Sequence, residues 1–372
     1  MILAILFGLL ALAGIGYTLA AAALVGRWRP PVLLPSQEHD TLPSITLLKP
    51  LHGAEPRLTE NLAGFLDQKY PAPLQMLCGV ASPDDPAMAS VPPEAELVVD
   101  GRRHGANGKI GNLINMIASA RHPLLILSDS DIAVERDYCA RIAAAMAEPR
   151  VGAVTCLYAG RGDAGGWSRL AAAGISWGFL PSVMVGLATG MAKPCMGSTI
   201  ALSRDTLEAI GGFARFADTL ADDHAIGAVV RALGLRVAVP PMLVTHGCGE
   251  TSLSALVAHE LRWNATVRGL DPAGYAGSLV IHPLPLALLA WALGGGAIGA
   301  ILTAASLLAR LLLALRIDAL AKRRTAPLWW LPARDILSFG LFLAAFGVRR
   351  IDWRGARLHM EREGRISAGS EF

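Results

Sequence analysis

The sequence predicts an α/β domain with a Rossmann-like parallel sheet, flanked by apolar helices towards both ends of the chain. Between residues 44 and 267, short apolar runs alternate with helical segments, as in a parallel sheet with crossover helices. The run LLILSDSDI at 124–132 changes abruptly from apolar residues to two aspartates, which predicts a buried central strand. Residues 1–25 contain no charged side chain, and 276–315 contain only Arg310.

Periodicity gives the order of the remaining elements. Short apolar runs predict further strands at 45–48, 75–80, 96–99, 151–157, 198–202, 236–239 and 242–246. Apolar residues at helical spacing predict helices at 58–68, 110–120, 136–147, 222–233 and 252–267. The apolar stretch 167–188 fits either a membrane-grazing or acceptor-facing segment or a buried helix, because Pro181 and its glycines argue against a span.

The composition is that of a membrane protein. Of the 372 residues, 53% are hydrophobic, and the mean hydropathy is +0.44. A net charge of +3 is too small to indicate a nucleic-acid partner, and the basic residues cluster beside the apolar segments. The five cysteines are odd in number and form no C-x-x-C pair, so we expect reduced, buried thiols instead of a disulfide or zinc framework.

The apolar segments predict an anchored chain with a cytoplasmic domain. Residues 1–26 are long enough to cross a hydrocarbon core of ~30 Å, and no positive charge precedes them, which favours an uncleaved anchor. Arg27 and Arg29 follow, so the positive-inside rule places the domain in the cytoplasm. The segment 276–315 is too long for one span, and the glycines at 294–296 predict a hinge between two.

The predicted organisation therefore has six parts: an anchor (1–26), a proline-rich linker (27–43), the α/β domain (44–270), a transmembrane hairpin (276–315), a cytoplasmic loop with a third membrane segment (316–350) and a basic tail (351–372). The third membrane segment, which ends near Val348, either crosses the membrane or is re-entrant or interfacial.

Two acidic clusters carry the predicted chemistry. Asp129 and Asp131 follow the central strand, where ligands of open α/β sheets bind, and alternation along an extended chain points both the same way. They could hold one hard cation, Mg²⁺ or Mn²⁺, which would neutralise a diphosphate. The alternative is a turn with two solvated aspartates. Asp222 and Asp223 open a helix, which they could simply cap.

The chain resembles the family-2-like glycosyltransferases of the ceramide glucosyltransferase group, and within it the bacterial hopanoid-biosynthesis-associated glycosyltransferases. Seven motifs in the family's order, between an N-terminal anchor and C-terminal spans, carry the resemblance. They are KPLHG at 49–53, PDDPA at 83–87, GKIGNL at 108–113, SDSD at 128–131, MGS at 196–198, ADDH at 221–224 and HELRW at 259–263. The resemblance implies a GT-A fold in a multi-pass protein of the bacterial inner membrane.

The resemblance also implies roles for the acidic residues. Asp85 is expected to contact the base or ribose of a nucleotide sugar, and Asp129 with Asp131 to bind the metal. Asp223 is expected to be the catalytic base, which takes the proton of the attacking hydroxyl. A single base with direct displacement gives inversion at the anomeric carbon.

Further residues match the family pattern less closely. Arg262 and Trp263 end a (Q/R)-x-x-R-W signature in which His259 replaces the usual Gln or Arg, so a contact to the diphosphate or acceptor is in question. Met196 and Gly197 are assigned to the acceptor side. Lys109 and Arg262 could steady the leaving diphosphate, although a solvated surface lysine is the alternative for Lys109. Trp263 would stack on the sugar or acceptor, or else pack in the core.

The predicted function is the transfer of a sugar from a UDP-sugar to a lipid of the bilayer. The resemblance implies UDP-GlcNAc as donor and a hopanoid polyol, bacteriohopanetetrol, as acceptor. A ceramide glucosyltransferase that uses UDP-glucose is the first alternative. A polysaccharide synthase that translocates its product and a non-catalytic lipid-binding membrane protein are alternatives from other classes. The few C-terminal spans and His259 argue against the synthase.

Overall fold

A seven-stranded mixed sheet forms the centre of the chain. The computed structural model describes residues 1–28, 42–348, 350–353, 356–360 and 366–368. In spatial order the strands of the sheet are β3 (Glu96–Val99), β2 (Leu74–Val80), β1 (Ile45–Pro50), β4 (Leu124–Leu127), β8 (Ile200–Ser203), β6 (Val151–Thr155) and β9 (Arg236–Ala238). The strand predicted to be central, β4, has three strands on either side and is buried along its whole length, so that prediction is confirmed.

The prediction of a wholly parallel sheet is wrong at one strand. β8 runs antiparallel to both β4 and β6, whereas the other neighbouring pairs are parallel. The register pairs Ile200, at the start of β8, with Leu127, at the end of β4. The chain therefore re-enters the sheet from the edge at which β4 ends, and this reverses the strand direction.

Helices cover both faces of the sheet because its strands alternate buried side chains between two cores. Leu47 packs with α2 (Leu58–Leu66) and α4 (Tyr138–Met146) on one face, whereas Leu48 packs with α3 (Gly108–Met116) and α8 (Asp222–Ala232) on the other. The short helix α7 (Arg204–Ala209) belongs to the second face.

A second, three-stranded sheet lies beyond the carboxyl end of β4. Its order is β5 (Ile132–Ala133), β10 (Leu243–Cys248) and β7 (Leu157–Gly162). β10 pairs antiparallel with β5 and parallel with β7. This sheet is followed by the long helix α9 (Leu253–Leu270), and together they form one wall of the region reached by the acidic residues after β4.

The remaining helices are apolar, and in the described part of the chain four stretches are long and apolar enough to cross a membrane: Ile2–Arg27, Gly166–Ala188, Pro283–Leu320 and Leu328–Ala345. They contain α1 (Ile2–Arg27), α5 (Gly166–Gly174), α6 (Leu180–Ala188), α11 (Pro283–Ala290), α12 (Gly296–Leu320) and α13 (Leu331–Ala345), while α10 (Pro272–Gly277) precedes α11. The predicted hinge is present, because the backbone between α11 and α12 leaves helical geometry at Gly294, whose φ is +97°.

The stretch 167–188 is a continuous helical rod in which a π-helical segment, Ile175–Phe179, joins α5 to α6. Trp177 and Leu180 are buried in an apolar cluster with residues of α1 and α12. Of its most apolar window, 56% is buried within the protein. This burial favours the buried helix over the membrane-grazing segment.

A buried ion pair explains the one charged residue in the hairpin. Arg310 on α12 contacts Asp335 on α13 through two hydrogen bonds of 2.7 and 2.8 Å, and it donates a third, of 2.8 Å, to the Trp177 carbonyl. A guanidinium satisfied in this way can remain inside an apolar helix packing.

The two ends of the described chain add smaller findings. All five cysteines are free and buried, so the prediction of thiols is confirmed. The segment predicted only as a basic tail contains an antiparallel sheet of β11 (Arg350–Trp353), β12 (Ala356–Met360) and β13 (Ile366–Ala368). The predicted linker, apart from its first two and last two residues, lies outside the described residues.

Candidate active site

Three predicted site residues converge on Gly197, just before β8. A methyl group placed on Gly197 would lie 3.0 Å from Asp129 Oδ2, 3.0 Å from Lys109 Nζ and 3.6 Å from Asp223 Oδ2. These side chains come from the loop after β4, the first turn of α3 and the first turn of α8. Any larger residue at 197 would intrude among them. The fold thus assembles one polar cradle from four segments that are distant in the sequence.

Lys109 is the positive centre of this cradle. Its Nζ lies 2.6 Å from Asp129 Oδ1 and 3.7 Å from Asp222 Oδ2, and its side chain is only 15% exposed. Burial lowers the pKa of Lys109, but the neighbouring carboxylates outweigh burial and raise it above its usual value. The reading of Lys109 as a solvated surface lysine is therefore wrong.

Asp223 holds both of its carboxylate oxygens against backbone donors. The Gly197 N–H donates to Oδ2 at 2.9 Å, and the His224 N–H donates to Oδ1 at 2.7 Å. The helix begins one residue earlier, at Asp222, and the residue before it, Ala221, makes no side-chain cap. Asp223 therefore lies inside the first turn of α8, at the positive end of that helix, and the hydrogen bond from Gly197 links it to the cradle. Its role is not limited to capping the helix.

Asp222 points to the other side of Lys109. Its Oδ1 accepts a hydrogen bond of 3.1 Å from Asn107 Nδ2, while its buried Oδ2 has no hydrogen-bond partner among the residues the structure describes. Burial raises the pKa of Asp222 to about 6, with Lys109 opposing the rise. Burial also raises the pKa of Asp223, again against Lys109. A carboxylate with a raised pKa is a better proton acceptor near neutral pH.

Asp131 faces His246 across the small sheet. His246 Nδ1 lies 3.6 Å from Asp131 Oδ1, and this oxygen is buried without a hydrogen-bond partner in the described part of the chain. Burial raises the pKa of Asp131, the His246 side chain opposes the rise, and Asp129 adds to it. With Asp129 bound to Lys109 as well, the alternative of two solvated aspartates in a turn is wrong.

Lys49 supports the same loop from below. It is the penultimate residue of strand β1 and is fully buried. Its Nζ donates a hydrogen bond of 2.5 Å to the Asp129 carbonyl and lies 3.8 Å from the centroid of the Phe65 ring. Burial lowers the pKa of Lys49 to about 8, and the charges of Asp129 and Asp131 oppose that change.

The acidic pair fits a divalent cation whose coordination is completed by substrate. Asp129 and Asp131 supply carboxylate oxygens, and the buried, unpartnered Asp131 Oδ1 is an oxygen that a cation would satisfy. Within the described ranges, no group of three or more His, Cys, Asp or Glu side chains is arranged to hold a metal by itself. Mg²⁺ is commonly bound by one or two carboxylates together with substrate phosphates and water.

Aromatic rings close one side of the site. The Trp263 ring, on α9, lies edge-on to His259 with 4.4 Å between centroids and 5.9 Å from His246. His259 Nδ1 forms a hydrogen bond of 2.6 Å with Glu250 Oε1, so its imidazole is held by this carboxylate in the present arrangement. Trp263 is half-buried: it contacts this imidazole pair on one side and packs against the apolar cluster around Ala172 and Leu256 on the other, so both a site-wall and a core role stay open.

Other predicted residues lie in structural positions. Asp85 caps the 3₁₀ turn Pro86–Ser90: its Oδ1 accepts hydrogen bonds of 2.9 Å from the N–H groups of Gly53 and Ala87. Met196 is buried in the apolar cluster that contains Trp177. Arg262 precedes Trp263 on α9 and is half-buried.

Three residues of the site were given no role from the sequence. Lys49 and His246 lie beside the acidic loop, and Tyr158 lies 5.5 Å from His246 between ring centroids. Lys49 opens the KPLHG motif, and that position was a usable signal. His246 and Tyr158 fall in ordinary strand patterns, so nothing local marked them.

The fold is that of known glycosyltransferases. A mannosyltransferase from Pyrobaculum calidifontis, solved in complex with GDP-Man and Mn²⁺, superposes with a TM-score of 0.52 at 20% sequence identity, covering 93% of this chain and 98% of that one. This α/β fold, with acidic residues at the carboxyl edge of its sheet, places the chain in the same fold class as that glycosyltransferase. The family model for glycosyl transferase family 21 matches residues 6–366, and the chain belongs to that family.

Curated relatives share part of the chain. It is 24% identical over 243 residues to ceramide glucosyltransferase 3 of Caenorhabditis elegans, covering 61% of this chain and 51% of the relative. It is 24% identical over 226 residues to ceramide glucosyltransferase 1 of the same organism, covering 58% and 47%. The chain thus spans about half the length of the curated relatives it matches.

Proposed function

We propose that this glycosyltransferase moves a sugar from a nucleoside diphosphate donor to the hydroxyl of a membrane lipid, with inversion at the anomeric carbon. The observation that carries the proposal is the convergence of Asp129, Lys109 and Asp223 on Gly197. It brings a carboxylate base and a phosphate-binding cation to the same few ångströms.

Asp223 acts as the general base. As the acceptor oxygen attacks the anomeric carbon, its proton passes to the Asp223 carboxylate. The Gly197 and His224 N–H groups fix the orientation of that carboxylate, and burial raises its pKa towards the working pH. With one base and no carboxylate nucleophile, the sugar is displaced once and its configuration inverts.

The leaving diphosphate is held by cations of the chain. Lys109 stands in the cradle, and Arg262 is proposed to bind the phosphates from α9. Asp129 and Asp131 would hold Mg²⁺ or Mn²⁺, with His246 facing the same oxygen of Asp131. When bound, the ion supplies positive charge to the diphosphate. The Mn²⁺ in the related mannosyltransferase structure supports this assignment.

The donor is proposed to be a UDP-sugar. Asp85 would meet its base or ribose, since it stands on the loop after β2 at the same edge of the sheet as Asp129. Trp263 would stack on the sugar or the acceptor from the aromatic side of the site. Met196 and His259 are proposed to lie on the acceptor side, where His259 acts through its hydrogen bond to Glu250.

The acceptor is proposed to be a lipid because the site is joined to apolar helices. The names of the curated relatives favour ceramide with UDP-glucose. A hopanoid polyol with UDP-GlcNAc uses the same chemistry and stays a prediction from the sequence. We further propose that α1 and the C-terminal helices anchor the chain in the bacterial inner membrane, with residues 44–270 as the catalytic domain in the cytoplasm.

Mass spectrometry of lipid products tests the function. The purified chain is incubated with UDP-glucose or UDP-GlcNAc and with ceramide or a hopanoid polyol, in the presence of Mg²⁺ or Mn²⁺. We expect one sugar to be added to one of these lipids, and at least about 10²-fold less product per unit time with Asp223→Asn. Addition of many sugars would indicate a polymer synthase. Donor binding without any transfer to a lipid would indicate a binding protein and contradict the proposal.

A further inference from the structure

A cavity of about 660 Å³ lies beside the small sheet, and its lining includes none of the active-site residues described above. Its wall is formed by the end of α1, the end of α12 with the turn that follows, and strands β7 and β10. On β10, Leu243, Val244 and Thr245 line the cavity, and the next residue, His246, faces Asp131 in the active site. The cavity and the active site are therefore neighbours along this strand.

The cavity wall is basic. Its charged side chains are Glu135, Asp137, Arg141, Arg316, Lys322 and Arg323. Asp137 is already paired with Arg141 at 2.8 Å, which leaves three cations and Glu135. No carboxylate of the described residues lies within ion-pair distance of Arg316, Lys322 or Arg323. The cavity therefore carries positive charge that an anion would neutralise.

Arg323 shows this imbalance most clearly. Among the described residues, its guanidinium donates to two neutral oxygens, Thr245 Oγ1 at 2.9 Å and the Ala159 carbonyl at 3.0 Å. Its Nε is buried and has no hydrogen-bond partner within the described part of the chain. Burial and the nearby Arg161 lower the pKa of Arg323, and the more distant Asp163 and Asp318 oppose that change. A partly buried cation that forms no close ion pair with a carboxylate of the described residues costs free energy that a bound anion would recover.

An apolar groove of about 340 Å³ continues from this cavity between α1 and α12. Gly26 and Arg316 belong to both spaces, and the groove extends past Leu19 and Leu312, each at least 40% exposed. A methyl group on Gly26 would lie 3.1 Å from Arg316 Nη1, so glycine lets this guanidinium approach α1. A charged chamber joined to an apolar groove has the polarity of an amphiphile.

We propose that the cavity and the groove together bind one anionic glycerophospholipid. Its phosphate lies against Arg316, Lys322 and Arg323, and an acyl chain follows the groove between α1 and α12. Basic pockets at the ends of membrane helices bind such head groups. The inference rests on the proposed membrane position of these two helices and not on the identity of the sugar or of the acceptor.

Native mass spectrometry of the full chain in detergent micelles measures this binding without any sugar donor. The probes are phosphatidylglycerol, a diacylglycerol with the same acyl chains, and inorganic phosphate. We expect phosphatidylglycerol to bind the wild type and to bind an Arg316→Gln/Lys322→Gln variant about 30-fold more weakly, which equals about 2 kcal/mol for the two cations. The diacylglycerol should bind weakly, and phosphate should not displace the lipid at millimolar concentration.

A matched variant, Lys193→Gln/Arg324→Gln, removes two charges that are exposed like Arg316 and Lys322 but lie outside the cavity wall. It should bind phosphatidylglycerol within about 3-fold of the wild type, because only cavity cations gain from the contact. Equal loss in both variants would show diffuse surface attraction and overturn the site. Equal binding of the diacylglycerol, displacement by phosphate, or no binding to the wild type would also overturn it. None of these measurements depends on the lipid-transfer assay, so the lipid site and the proposed function can fail independently of each other.

Discussion

Replacing Asp223 by asparagine exchanges one carboxylate oxygen for an amide nitrogen and so tests the proposed base with little change in shape. The two carboxylate oxygens accept hydrogen bonds from the Gly197 and His224 N–H groups, at 2.9 and 2.7 Å. A carboxamide has one acceptor oxygen, so one of these donors loses its partner. Such a loss costs about 1 kcal/mol in the free energy of unfolding, or about 2–4 °C in Tm for a domain of 150–250 residues. The Asp223→Asn variant is therefore expected to fold.

The effect on catalysis should be far larger. An amide cannot take the proton of the attacking hydroxyl, and loss of a general base typically costs about 10² to 10⁴ in rate. We expect kcat to fall at least about 10²-fold in Asp223→Asn, with the Kd for the UDP-sugar within about 3-fold of the wild type. Asp222→Asn, one residue earlier on the same helix turn, should lose much less, because Asp222 faces Lys109 and Asn107.

The assay combines lipid-product mass spectrometry for kcat, calorimetry for the donor Kd and a thermal melt for folding. A pattern of intact folding, intact donor binding and lost transfer supports Asp223 as the base. Wild-type turnover in Asp223→Asn would refute the reasoning outright. Equal losses in the Asp222 and Asp223 variants would also refute it. They would show that activity depends on the negative charge of both residues, and not on proton acceptance by Asp223 alone.

Three further predictions follow from the same cradle. Gly197→Ala places a methyl group 3.0 Å from Asp129 Oδ2 and Lys109 Nζ, so we expect at least about 10-fold lower kcat in a folded protein; unchanged kcat would contradict this. The folded-state pKa of Asp222, about 6, exceeds its unfolded value of about 3.9, so its stabilising contribution is lost as pH rises through this window. In thermal melts, Asp222→Asn should therefore gain Tm relative to the wild type between about pH 4 and pH 7, and a constant difference would be the contrary result. Chelation should abolish lipid transfer and Mg²⁺ or Mn²⁺ restore it, whereas full activity in chelator would exclude metal dependence.

The central strand and its acidic loop could be predicted because their signal is local. An apolar run that changes at once to Asp129 and Asp131 marks both a buried strand and the edge at which it ends. The direction of β8 could not be predicted in the same way, since a buried strand has the same composition whichever way it runs. Only its register, Ile200 opposite Leu127, shows the reversal.

The contacts of the site depend on pairings over long distances in the sequence. Lys109 looked like a surface residue because nothing near it in sequence is acidic, and the fold then places it 2.6 Å from Asp129. His246 reaches Asp131 because β5 pairs antiparallel with β10 and sets His246 opposite Ile132, the residue after Asp131. Neither contact leaves a local trace in composition or periodicity.

The charge balance of the site indicates how the donor must bind. Of the described residues, four carboxylates and two lysines lie in or beside the loop after β4: Asp129, Asp131, Asp222, Asp223, Lys49 and Lys109. Arg262, proposed to reach the phosphates from α9, adds one positive charge, and the balance stays negative. A diphosphate adds further negative charge, so without a cation it meets net repulsion. We therefore expect the affinity for UDP, measured by calorimetry, to fall at least about 10-fold in chelator, or about 1.4 kcal/mol.

Asp131→Asn separates this electrostatic effect from damage to the fold. The substitution removes one negative charge and one proposed metal ligand together. With Mg²⁺ or Mn²⁺ present, the variant should bind UDP more weakly than the wild type, because the ion is held less tightly. In chelator it should bind UDP at least as well as the wild type, because the repulsion is smaller. If the variant binds UDP more weakly by the same factor in both conditions, the substitution has damaged the fold. If the wild type binds UDP equally well with and without metal, no cation takes part in donor binding.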